Sequence, residues 1–190
     1  MADASIQLEQ LEISAVLIVR QGDERVLTVY NPNWYAFSLP MTKVREFIDP
    51  RGISHSKETW RHAASRAAAE SLGRTLCPSP RQILNVAEWI ETYGLDETLQ
   101  QGQRDGMLKQ YWFRVFLVNV PPDTEPAPGV TGEWLTTDEL LDPDRQPFSP
   151  TVAELLNMLG AAADADGQSI LEYCRIRAEN DPGGPADAAV

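Results

Sequence analysis

Cysteine is nearly absent from this chain. Cys77 and Cys174 are the only two in 190 residues. Two distant cysteines make no disulfide framework and read as free, reduced thiols. They also leave no cysteine-based zinc site. Long apolar runs are missing too, since none approaches the ~20 residues that a membrane-spanning helix needs. The opening MADASIQLEQ has neither the basic region nor the apolar stretch of a secretory signal. These absences together give the expectation of a cytoplasmic protein. Positive charge is in short supply, with 16 Lys and Arg against 28 Asp and Glu and a formal net charge of -12. A surface that acidic repels phosphate backbones and anionic lipid, so duplex nucleic acid and membranes are excluded as main partners. A nucleotide ligand stays open if a divalent cation screens its charge. There is no Gly-rich phosphate loop, no histidine and aspartate partnering a nucleophilic serine, and no internal repeat.

What remains is an ordinary globular balance, 43% hydrophobic and 23% charged, in a length that supports one domain with a core. LEISAVLIVR from Leu11 reads as a buried strand, QGDE as a turn and RVLTVYN from Arg25 as the returning strand. NPNWYAFSLP predicts a turn and then a short aromatic strand, and MTKVREF a further short strand. SHSKETWRHAASRAAAESLG predicts an Ala-rich helix, with Ser54 or Ser56 as its cap and Gly73 as its stop. RQILNVAEWIETY is strand-like, LDETLQQGQRDG reads as a polar loop, and LKQYWFRVFLVNV from Leu108 is the strongest strand signal in the chain. EWLTTDELL predicts a strand entering a helix start capped by Thr136 or Thr137. SPTVAELLNMLG predicts a helix ending at its glycine, and GQSILEYCRIRAEN a last helix. Residues 1–10 read as an arm, 11–160 as the main domain, 161–180 as a C-terminal helix and the Pro/Gly-rich 181–190 as a frayed tail. This order of strands and helices gives an α/β or α+β sandwich.

The stretch GISHSKETWRHAASRAAAESLGRTL holds the chemistry. Glu58, His62, Arg66 and Glu70 are spaced four apart and form one slanting polar stripe. Taken alone, that is a solvated helix face with an Arg66–Glu70 pair worth about 0.3–0.5 kcal/mol. With its surroundings it resembles the Nudix hydrolase family, whose motif is G-x5-E-x7-R-E-U-x-E-E-x-G-U, U being aliphatic. Glu58, Arg66, Glu70 and Gly73 stand in that register. LPMTKV at residues 39–44 is similar to the family's Leu-Pro-Gly-Gly-Lys-Val, and GEWLTTDEL to its late Glu-Trp-Leu and Asp-Glu-Leu segment. Two alignments compete for the motif glycine. Gly52 matches by spacing alone. The Leu-Pro strand end instead puts Thr42 in that place and makes REFIDPRGISHS an insertion, and this second alignment is preferred because the strand end is a structural landmark.

The resemblance implies an α/β/α sandwich with a mixed sheet, followed here by a C-terminal helical extension. It implies Mg2+ or Mn2+ held by helix carboxylates, and water attack on a diphosphate linkage. The remnant catalytic set is Glu70, Arg66 and Glu58, with Glu70 as the metal ligand. Trp34 and Tyr35 are candidates to stack on a base, and Lys43 to reach a phosphate. Core and hairpin packing is the alternative for the aromatics. The departures from the motif matter more. Ala67 and Ser71 stand where the family has two of its three glutamates in this part of the helix, and Arg74 replaces its last aliphatic residue. One carboxylate holds Mg2+ loosely, and losing a general base typically costs about 10²–10⁴-fold. The expectation is a degenerate Nudix domain that binds a nucleotide-type ligand or a protein partner with little hydrolysis. The alternatives are an active metal-dependent pyrophosphohydrolase, aided by Glu88, Glu91, Asp96, Glu97 or Glu133, and a structural subunit of a complex. His62 and His55 read as solvent-facing. The resemblance leaves a homodimer open.

Overall fold

The computed structural model describes residues 8–48, 51, 55–73, 76, 78–79, 82–88, 99–101, 108–142, 144–145 and 149–180. Its frame is a pair of long strands, β1 (Leu8–Arg20) and β9 (Leu108–Val120), which run parallel in unbroken register from Leu8↔Leu108 to Arg20↔Val120. β2 (Arg25–Asn31) returns antiparallel to β1 from the turn at Gln21–Glu24, and β10 (Gly132–Leu135) pairs antiparallel with β2 at the edge. On the other side β7 (Leu84–Glu88) pairs antiparallel with β9, giving the order β10-β2-β1-β9-β7. β3 (Ala36–Ser38), β4 (Met41–Lys43) and β8 (Leu99–Gln101) pair with β2, β1 and β9 respectively. β5 (Glu46–Ile48) and β6 (His55–Lys57) form a separate two-stranded ribbon.

Both faces of the sheet are covered, and alternation along β1 shows how. Leu11, Ile13, Leu17 and Val19 join one core cluster, while Val16 and Ile18 join the other. A strand buried on both faces reads as a continuous apolar run, which is why its sequence lacks polar alternation. The first cluster is closed by α3 (Pro150–Ala165) and α4 (Ile170–Glu179), through Val152, Leu155, Leu156, Leu159, Leu171 and Cys174. The second is closed by α1 (Trp60–Leu72), through Ala64, Ala67, Ala68 and Leu72 against Val16, Leu27 and Phe116. α2 (Thr137–Leu141) is a single short helix with a reciprocal capping box between Thr136 and Glu139. Helix, mixed sheet and helices make the α/β/α sandwich that the resemblance implied.

Four boundaries differ from the sequence reading. α1 begins at Trp60 with Thr59 as its cap, because residues 55–57 pair with β5 (Glu46↔Lys57, Phe47↔Ser56, Ile48↔His55) and Ser56 is strand; Ser54 lies outside the described residues. Part of the expected polar loop is β8, held by the overhanging start of β9. α3 runs through Gly160 to Ala165. Gly167, at φ 68°, supplies the left-handed residue just past the helix end, whereas Gly160 lacks that conformation and does not stop the helix. The fourth difference is the start of β1, which takes in residues 8–10 of the expected arm. The expected tail at 181–190 lies outside the described residues.

Candidate functional site

α1 places its residues by simple periodicity. Ala63, Ala64, Ala67, Ala68 and Ser71 fall on the buried face. At 3.6 residues per turn, His62, Arg66 and Glu70 then fall on the other side. Alanine suits the buried face, since its small side chain lets the helix axis approach the sheet closely and it carries the best helix propensity. The cap is Thr59, whose hydroxyl accepts from the His62 amide at 3.2 Å, while His62 Nδ1 lies 2.7 Å from the same oxygen. His62 is thus a partner in the helix cap, on an exposed position. His55 lies in β6, and its side chain is outside the described set.

Glu58 and Arg66 are bound to each other. Arg66 Nε donates to Glu58 Oε1 at 3.1 Å and Nη2 to Oε2 at 2.8 Å, the two-pronged geometry that a guanidinium offers a carboxylate. The remaining donors reach across to β4. Nη1 donates to Thr42 Oγ1 at 2.7 Å and Nη2 to the Lys43 carbonyl at 2.8 Å. Glu58 also accepts from the Arg45 amide at 3.1 Å, and its own amide donates to the Arg45 carbonyl at 2.8 Å. Side-chain exposures of 19% for Arg66 and 11% for Glu58 make this a largely enclosed clamp. Burial by itself pushes the Glu58 carboxyl up, but hydrogen bonds from Arg66 and the Arg45 amide, with the attraction of both cations, hold it below its ordinary value. The hydrogen bond to Glu58 raises Arg66 in turn, against a smaller opposing effect of burial. A carboxylate held low and fully engaged is a poor proton acceptor. The pair fastens the segment after β3 onto α1. Thr42, in the motif glycine's place, touches the helix arginine, which favours the alignment through LPMTKV; Gly52 lies outside the described residues.

Glu70 differs from Glu58. Its side chain is 59% exposed, with Arg66 Nη1 at 3.7 Å. Ala67 is buried against the sheet and offers no ligand atom. Ser71 is buried too, and its hydroxyl donates to the Ala67 carbonyl at 2.9 Å, one turn back in the same helix. A hard divalent cation needs several oxygen ligands. Among the described residues no group of three or more His, Cys, Asp or Glu can hold a metal ion, so they do not fit the Mg2+ or Mn2+ that the resemblance implies. Glu133 is engaged elsewhere, 3.1 Å from Arg145, in a network that continues through Glu139 to Arg25. Glu88 stands opposite Arg114 in the β7–β9 register, while Glu91, Asp96 and Glu97 lie outside the described residues.

The three candidate ligand contacts separate into two places. Lys43 is exposed on β4, beside the clamp that grips its carbonyl. Trp34 and Tyr35 lie in the turn before β3, not on a strand, and are 49% and 77% exposed. An Asn31 side chain shapes that turn by accepting from the Asn33 amide at 2.9 Å. Tyr35 takes φ 51°, a left-handed conformation that costs a side-chain-bearing residue roughly 1–2 kcal/mol. No hydrogen bond, ion pair or ring contact joins either aromatic to the clamp among the described residues. Sequence reasoning placed Thr42 at the motif glycine but not as a partner of Arg66, and it missed Arg45, Ser14 and Arg114. Ser14 Oγ donates to the Trp60 carbonyl at 2.9 Å, and the Arg114 guanidinium lies 4.9 Å from the centre of the Trp60 ring. For Ser14 and Arg114 the available signal was a polar residue within a long apolar strand.

No family model matches the chain, and no curated protein matches it in sequence. Solved structures do match. A MutT protein from Methanosarcina mazei Go1 is 14% identical, with 81% of this chain and 95% of that one aligned at a TM-score of 0.52. A protein from Deinococcus radiodurans is 18% identical, with 82% and 86% aligned at a TM-score of 0.53. At such identities the likeness is one of backbone architecture. It spans about four fifths of this chain, and the fold of this chain is the Nudix hydrolase fold.

Proposed function

We propose that this chain is a Nudix domain whose catalytic helix no longer supports metal-dependent hydrolysis, and that it binds a nucleotide-type ligand without efficient turnover. One observation carries the reading. The two motif positions that lack their carboxylates, Ala67 and Ser71, lie on the buried face of α1, and the glutamate that remains between them, Glu70, is largely exposed and paired with Arg66. The Glu58–Arg66 pair is retained in a holding role, which keeps the scaffold while the ligand set is lost. Trp34, Tyr35 and Lys43 are the ligand contacts of this reading, all three exposed. The same reading places the protein in the cytoplasm, on its two-cysteine sequence.

The test is phosphate release from a panel of nucleoside diphosphate derivatives in Mg2+ and in Mn2+. Turnover at the level of the uncatalysed background is the expected result. Turnover well above background that vanishes in Glu70→Gln would overturn the reading and make the chain a working pyrophosphohydrolase.

A further inference from the structure

Two large apolar side chains stand exposed side by side on a strand. Phe47 and Ile48 of β5 are 52% and 66% exposed. Neighbours along a strand point to opposite faces, so each face of the β5–β6 ribbon carries an uncovered apolar group. Among the described residues the ribbon is a sheet of two strands only. Such a pair is marginally stable in water and gains from cover. Nearly all of it falls in REFIDPRGISHS, the insertion into the family motif, so the motif itself does not require it.

The root of the ribbon is nonetheless held firmly. The Glu58 amide donates to the Arg45 carbonyl at 2.8 Å, the Arg45 amide donates to Glu58 Oε2 at 3.1 Å, and Lys57 Nζ lies 2.6 Å from Glu12 on β1. A ribbon fixed at its base loses little freedom on association, which favours affinity. Charge narrows the choice of partner. A net charge of -12 keeps copies of this chain apart over most of their surface. From Lys43 to Arg66 the chain carries six Lys and Arg and three acids, and Glu12 and Glu70, which contact this stretch, bring the acids to five. The surroundings of the ribbon are therefore close to neutral, and nearly all of the repulsion lies elsewhere.

We infer that the β5–β6 ribbon is a homodimer contact, with the ribbon of a second copy laid alongside it about a twofold axis. The contact does not depend on any ligand. A flat partner covers one face of the ribbon and leaves the other wet. A strand laid alongside gives cross-strand neighbours on both faces. A twofold contact is self-complementary, so Phe47 meets its own counterpart at the axis. Arg45 and Glu46, exposed and of opposite sign, then form a charged rim beside the apolar centre, each offered a counter-charge by the other copy.

Sedimentation velocity of the full chain over a dilution series, at low and at high NaCl, tests it. A reversible monomer–dimer equilibrium with a micromolar Kd is expected, and it tightens at high salt because salt screens the repulsion between the acidic bodies. The double substitution Phe47→Ser and Ile48→Ser should weaken the dimer at least tenfold. Ile176→Ser, at an exposed apolar position of α4, should leave it unchanged. Hydrogen exchange of the parent chain at both ends of the dilution series locates the contact without any substitution. Added protection at high concentration is expected in the peptides covering β5 and β6, and none there overturns the inference. A parent chain that stays monomeric throughout overturns it as well, and leaves the ribbon to a different protein. So does a dimer that the double variant retains, which places the contact elsewhere, or one that salt dissolves, which makes it a pairing of opposite charges.

Discussion

Arg66 does more for this molecule than its place in a motif suggests. It makes four hydrogen bonds, to Glu58, Thr42 and the Lys43 carbonyl, from a helix position that is mostly enclosed. Replacing it with alanine leaves the Glu58 carboxylate enclosed and without its main partner. The expected loss is about 2–3 kcal/mol, between the small value of an exposed pair and the larger one of a fully buried pair. Urea denaturation measures it. Arg66→Lys should recover little, because one ammonium cannot reproduce the fork to carboxylate, hydroxyl and carbonyl. The pair also gives a pH signature. Glu58 has a folded pKa below its unfolded value, near 4.3 for a free glutamate. Its contribution is therefore complete above that value and disappears as pH falls through the lower folded pKa. The stability gap between the parent chain and Glu58→Gln should be constant from pH 5 to 7 and close below about pH 4. A gap independent of pH would show that charge pairing is not what Glu58 contributes.

At the scale of the element, α1 sets the terms for any attempt to restore chemistry. Ala67 and Ser71 look in the sequence like two carboxylates waiting to be put back. In the fold, Ala67 belongs to the cluster with Val16, Leu27 and Phe116, and Ser71 is buried one turn further on. A glutamate at either position must bury its charge or push the helix off the sheet. Ala67→Glu and Ser71→Glu are each expected to destabilise the chain by about 2 kcal/mol or more, and together to produce no gain in Mg2+ affinity. Thermal unfolding and calorimetric Mg2+ titration of the double variant check both halves. Tight Mg2+ binding with an unchanged melting temperature would show that these positions reach a cleft after all.

At the scale of the molecule, the sandwich closes only when α4 docks. Cys174 lies on its inner face, fully buried in the cluster formed by α3, α4 and the sheet. Burial pushes its thiol up to about 12, with Arg175 pulling weakly the other way. At pH 8 it is then almost wholly the unreactive thiol. Alkylation by iodoacetamide, followed by peptide mass spectrometry, should leave Cys174 unmodified in buffer and modify it fully in urea. Modification in buffer at the rate of a free thiol would mean that α4 detaches from the folded body. α4 is further tied to the β1–β2 turn by Arg175, 2.7 Å from Glu24.

Much of this architecture was legible along the chain, because its signals are local. β-branched runs, an alanine-rich segment ending in Gly73 and a threonine cap at Thr136 or Thr137 each depend on a few neighbouring residues, and all appear in the fold, the cap at Thr136. The spacing of Glu58, Arg66, Glu70 and Gly73 is equally local. Two of the readings that failed depended on pairing with a strand beyond the next few residues. The start of α1 moved because residues 55–57 pair with 46–48, and β8 formed because β9 offers it an edge. The site shows the same division. Sequence determined which side chains are carboxylates and which are alanine, and so how many metal ligands α1 can offer. Only tertiary structure decided that positions 67 and 71 face the sheet, and that Glu58 is occupied by Arg66 and the Arg45 amide. A residue's charge is a property of its own atoms, whereas its exposure and its partner belong to whatever the rest of the chain packs against it.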